Sequence, residues 1–81
     1  MKRKSFYVVT ETIVIFERES VDTFIRGISE ELDCAHSVLE FSKRSLIKGG
    51  FDKSLISDFE WGWAYKSDYC IIKGEITIKF L

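Results

Sequence analysis

The chain is predicted to form a single α+β domain over residues 1–81, in the order β-α-α-β-β, with helices packed on one face of an antiparallel-rich three-stranded sheet. Three observations predict it. Residues 59–81 alternate apolar side chains at strand spacing on either side of a polar Lys66-Ser67-Asp68 stretch. Ser5 to Phe16 is dense in Val, Ile, Thr, Phe and Tyr, side chains that fit a pleated surface. Between these two stretches, apolar residues recur at helical spacing.

The first strand carries Phe6, Val8, Val14 and Phe16 in one phase and Tyr7, Val9, Ile13 and Ile15 in the other. Apolar side chains on both faces predict an interior strand, with Glu11 and Thr12 marking a bulge, a bend or an exposed middle. Ser20 is placed to cap a helix with Asp22 in its first turn, followed by Val21, Phe24, Ile25, Ile28 and Leu32 as an apolar stripe. Gly27 lies beside that stripe, where it predicts close backbone contact with a strand. A second helix is expected from Asp33 to Lys48, with Ala35, Val38, Leu39, Ser42 and Leu46 on its inner face and Gly49-Gly50 as a left-handed stop. A single bent helix from Val21 to Lys48 is the main alternative, and a short strand over Ser37 to Ser42 is a third option. Phe51 to Ser57 is expected as a loop or one helical turn.

The closing hairpin is expected to turn at Ser67-Asp68. That register sets Phe59 opposite Ile76, Trp63 opposite Ile72 and Tyr65 opposite Cys70, with Trp61 covering Gly74. If the first strand pairs with the last, the aromatic strand becomes an edge that offers unpaired backbone to another chain.

Composition narrows the function classes. Apolar residues make up 46% of 81, and twelve are aromatic, which excludes intrinsic disorder and leaves either tight self-burial or an apolar patch reserved for a partner or second copy. The second is favoured. A formal charge of −1 gives the whole molecule no broad affinity for nucleic acid or anionic lipid. Met1-Lys2-Arg3-Lys4 resembles the start of a signal peptide, but Thr10, Glu11 and Thr12 interrupt the apolar run that follows. No stretch has the length to span a bilayer, so a complete, cytoplasmic chain is expected.

No spacing in the chain specifies a reaction. Cys34 and His36 are two apart, which on a helix turns them to different faces, and Cys34, His36 and Cys70 lack the paired short spacings of a zinc site. Two structural thiols are expected in preference to a Cys34–Cys70 disulfide. Glu30, Glu31 and Asp33 read as a solvated acidic face, and Gly49-Gly50 as a helix end and not a phosphate loop. No cofactor, metal or catalytic residue is therefore assigned, and no enzymatic activity is expected.

The remaining readings are of binding. A non-enzymatic protein-binding module that inhibits or modulates a macromolecular partner by occlusion is expected. Trp61, Trp63 and Tyr65 would mainly build the core, any exposed one serving as an anchor, with Arg26, Glu30, Lys43 and Arg44 as polar contacts. In size and character the chain looks like small accessory proteins of bacteriophages and mobile elements that block a host enzyme, toxin or defence complex. The alternative is nucleic-acid binding through the basic region Lys43, Arg44, Lys48 and Lys53, with bases stacked on the aromatic residues. A homodimer through strand addition or an aromatic patch is a further expectation.

Overall fold

A computed structural model describes residues 4–80. Among them the chain forms β1 (Ser5–Ile15), β2 (Ser20–Ser29), α1 (Leu32–Lys48), a short 3-10 turn at Lys53–Leu55, β3 (Ile56–Phe59), β4 (Gly62–Lys66) and β5 (Cys70–Phe80). The strands make one antiparallel sheet in the order β2-β1-β5-β4-β3. This corrects the expected three strands and two helices: the sheet has five strands, and a single helix covers one face.

The largest correction is Ser20 to Ser29, which is strand and not helix. Val21, Thr23 and Ile25 alternate as a strand should, but the register slips between Val9 and Thr10, where Val9 pairs with Gly27 and Thr10 with Ile25. Arg26 is thus an extra residue, and it pushes the next outward side chain to Ile28. Spacings of four and then three between Val21, Ile25 and Ile28 imitate a helical stripe. The preceding turn adds to the ambiguity. Glu19 sits in the left-handed region at φ 51°, a position that glycine or asparagine usually announces.

The helix expected from Asp33 begins one residue earlier, at Leu32, and no second helix precedes it among the described residues. Glu31 occupies the N-cap without a side-chain bond, so Asp33 lies inside the first turn. At the other end Gly50 takes φ 101°, the left-handed stop that follows Lys48 and Gly49. Gly27 does mark a close approach, with the roles exchanged: it belongs to a strand, and a Cβ there would lie 3.1 Å from Val38 Cγ1 of the helix. The 3-10 turn is pinned by Asp52, whose Oδ1 accepts from Ser54 N and Oγ. Those two bonds hold the Asp52 carboxyl below its usual range.

β1 is interior and pairs with the last strand, as the sequence implies. The aromatic strand is not an edge, however, because Ile56–Phe59 forms an unforeseen short strand that covers it. The β4–β5 register also differs by two residues. Tyr65 faces Ile72 and Trp63 faces Gly74, so Trp63 covers the bare glycine in place of Trp61. A tight turn at Glu60-Trp61 separates Phe59 from the hairpin. Phe59 pairs with Gly62 and stands half-exposed, with the Lys73 ammonium 5.8 Å from its ring centroid.

Between helix and sheet lies a core of Val9, Ala35, Leu39, Trp63, Tyr65, Ile72 and Ile76. Trp63 is its centre at 1% exposure, and its indole Nε1 donates to the Leu39 carbonyl oxygen at 3.1 Å. That bond satisfies the polar edge of a side chain buried for its area. Helix α1 contributes Ala35, Val38, Leu39 and Leu46 to this contact, the inner stripe predicted from its spacing.

Candidate functional site

The alternation of the strands assigns two faces with different chemistry. One carries Tyr7, Val9, Glu11 and Ile13 of β1 beneath α1. The other is open, and side chains at Phe6, Val8, Thr10, Thr12 and Val14 project from β1 onto it. Paired residues of an antiparallel ladder share a face. Val8 pairs with Ile28, Thr10 with Ile25 and Val14 with Val21 and Ile71. The β2–β1 half of the open face is therefore largely apolar, with Val21 65%, Ile25 66% and Ile28 63% exposed, broken in its middle by Thr10 and by the hydroxyls of Thr12 and Thr23, 3.2 Å apart. Its β5 half is charged, and Lys73 and Glu75 pair there at 3.4 Å.

Val8 shows how the patch is laid out. It is buried to 8% exposure, yet it stands outside the core cluster, so its cover comes from open-face neighbours and not from the helix. The sheet thus has an apolar strip with no layer over it among the described residues. Strand propensity explains why these residues sit there, since Val, Ile and Thr favour β2 whichever way they point.

On the helix side of β2 lies a polar knot the sequence did not announce. Glu11, 8% exposed, accepts from Arg26 Nη2 at 2.8 Å through Oε1 and from Ser42 Oγ at 2.6 Å through Oε2. The sequence reads Glu11 and Thr12 as a bulge, a bend or an exposed middle; a bulge does lie beside them, in β2, but Glu11 itself is a buried tie between β1, that bulge and the helix. These groups line a recess of about 350 Å³ with Phe41, Ser45, Leu46 and Phe51. Arg26 also stacks over the Phe24 ring at 5.0 Å. Glu11→Ala should lower the unfolding free energy by about 2–3 kcal/mol, because it strips Arg26 and Ser42 of a charged acceptor. Urea denaturation measures this, and Ser42→Ala should cost less.

The anticipated contact residues are scattered. Trp63 and Tyr65 are buried in the core, while Trp61 is half-buried, edge-on to Tyr7 at 5.9 Å and to His36 at 6.3 Å. Arg26 is committed to Glu11, and Glu30 pairs with Lys4 at the far end of β2. Hydrogen bonding and the charge of Glu30 raise the Lys4 pKa.

The basic region is partly neutralised. Lys43 Nζ lies 3.1 Å from Asp58 and 3.2 Å from Glu40, and Arg44 leans toward Glu40 at 3.9 Å. Partial burial pulls on the Lys43 ammonium, but its bonds to Asp58 and Glu40 together outweigh this and raise its pKa above the ordinary lysine value. Lys48 and Lys53 are exposed. The four cations do not meet a row of displayed aromatic rings, since Trp63 lies under the helix.

Cys34 and Cys70 are both free thiols, Cys34 exposed and close to Glu31 Oε2 at 3.6 Å. Among the described residues, no three His, Cys, Asp or Glu side chains converge as metal ligands. No helix among them is long and apolar enough to cross a membrane. The basic Met1-Lys2-Arg3 start lies outside the described residues. No protein-family model, no curated protein and no solved structure matches this chain.

Proposed function

We propose that the protein is a non-catalytic binding module that acts by covering a surface of a protein partner, and that the apolar half of its open sheet face is the docking surface. One observation carries this reading. Val21, Ile25 and Ile28, each nearly two-thirds exposed, share one sheet face with Phe6, Val8 and Val14, interrupted only by Thr10 and the Thr12–Thr23 hydroxyl pair, and no layer covers that face among the described residues. Leaving such a strip in water forgoes roughly 25 cal/mol for every Å² of apolar area a partner would cover. The charged half, with Lys73 and Glu75, supplies a polar rim that orients a partner without adding much affinity.

Occlusion is the action this reading assigns, because an apolar sheet strip laid on a partner covers the partner's own surface. The nucleic-acid reading gains less support, because Lys43 is already bound to two carboxylates.

Capture from a lysate of the source cells, compared across variants, tests the proposal. Wild-type chain and Arg44→Glu should retain the same stoichiometric protein, and Ile28→Lys should lose it. Retained nucleic acid that disappears with Arg44→Glu, or capture unaffected by Ile28→Lys, would overturn it.

A further inference from the structure

The sheet ends in two edges that differ in their protection. β3 is four residues long, and Asp58 on it is bound by Lys43 from the helix. Short length and charge are the usual devices that keep an edge from pairing with another chain. β2 is ten residues long and contains no lysine and no proline. Its outward side has no strand partner among the described residues. Along Ser20–Ile25 the one charged side chain is Asp22.

We propose that a second copy of this chain pairs with the free edge of β2, antiparallel and about a two-fold axis at Phe24. Charge selects the occupant and the register. Asp22 and Arg26 are the two charged residues of β2, two positions on either side of Phe24, and both are exposed. Asp22 pairs across β1 with Ile13, on the side that packs against the helix, and Arg26 reaches Glu11 on that same side. With the axis at Phe24, Asp22 faces Arg26 of the partner copy, and symmetry repeats the pair at the other end. A guanidinium has five N–H donors, so Arg26 binds the carboxylate of the second copy without leaving Glu11.

The same register sets Thr23 against Ile25 of the partner copy on the open face, and Phe24 against its own equivalent on the helix side. Moving the axis by one residue in either direction sets Asp22 against Phe24 or Ile28 and removes both ion pairs. The bulge at Arg26 limits the regular ladder to Thr23–Ile25 about the axis, with the Asp22–Arg26 ion pair closing each end. The product is a continuous ten-stranded sheet in which the two apolar strips adjoin. Edge pairing leaves the open face uncovered, so the dimer goes beyond the docking role and is separable from it.

Sedimentation and cross-linking test the proposal together. The wild-type chain should run at twice its 9.5 kDa mass. Asp22→Arg sets like charges together at both ends and should weaken association at least about tenfold. In a Cys34→Ser background, Phe24→Cys should oxidise rapidly to a disulfide-linked dimer, because facing residues of a non-hydrogen-bonded antiparallel pair have Cα atoms about 4.5 Å apart, within disulfide range. Val21→Cys, three residues from the axis, keeps its two copies far apart and should not.

A monomeric wild-type chain, a dimer indifferent to Asp22→Arg, or equal cross-linking of the two cysteine variants would overturn the pairing. Ile28→Lys separates the two proposals: it should abolish partner capture and leave the dimer mass unchanged. Loss of the dimer with capture intact would defeat this inference alone.

Discussion

Trp63→Ala should remove a large share of the protein's stability. A chain of this length has a total stability of about 4–12 kcal/mol, and truncating a fully buried tryptophan removes about 3–5 kcal/mol of it. Several losses combine at this position. The indole is the largest fully buried side chain, it fills the space between the helix and Gly74, and its buried Nε1 N–H is satisfied by donating to the Leu39 carbonyl. Helix and sheet are thereby tied at one point. Trp63→Phe keeps most of the volume and loses the hydrogen bond, so it should cost clearly less. Urea unfolding followed by circular dichroism compares the two, and a Trp63→Ala midpoint within experimental error of wild type would refute this assignment of the core.

Gly74→Ala is the second large effect, and its sign is unusual for a glycine within a strand. Replacing glycine ordinarily stabilises by about 0.4–1 kcal/mol through the unfolded chain. Here a Cβ would lie 2.6 Å from Trp63 Cε2 and Nε1 and 2.8 Å from Cζ2. The ring cannot withdraw, because it is buried on its other side and bonded to Leu39. Overpacking of this kind costs about 1–3 kcal/mol, and displacing the indole also strains a hydrogen bond worth about 1 kcal/mol. A net loss of about 2 kcal/mol is expected. The pair should couple strongly: Gly74→Ala in the Trp63→Ala background should be nearly neutral or stabilising, because the methyl then enters a void. Additive losses in the double variant would show that the two sites do not share this contact.

The elements legible in the sequence are those whose pattern has one geometric interpretation. Ala35, Val38, Leu39 and Leu46 repeat at a helical interval within a segment closed by Gly49-Gly50, and α1 follows them. β1 and β5 carry apolar side chains at strand spacing over eleven residues each, long enough to identify them as strands. β3 was hidden in Ile56-Ser57-Asp58-Phe59, where four residues, half of them polar, offer too little periodicity. β2 imitates a helix for a physical reason: a bulge changes the apolar interval from two residues to three, and the turn before it uses Glu19 where glycine would signal a reversal.

The candidate surface was less legible than the fold. The tryptophans drew attention as anchors, yet large aromatic rings serve a core and an interface equally well, and only burial distinguishes the uses. Val21, Ile25 and Ile28 were noticed as an apolar stripe and expected inside, because an apolar stripe on a helix would face the sheet. On a strand the same three side chains share the uncovered face.

By itself the sequence determined that this chain has a dry interior built from aromatic and β-branched residues, a helix starting near Asp33 and ending at Lys48, and long strands near both ends, because local periodicity and propensity act over a few neighbouring residues. Tertiary structure alone decided which strand lies at the edge, which tryptophan meets a glycine, and that Glu11 binds Arg26 and Ser42. Those outcomes depend on register between segments up to dozens of residues apart, where a slip of a single residue moves a side chain from the core to the surface.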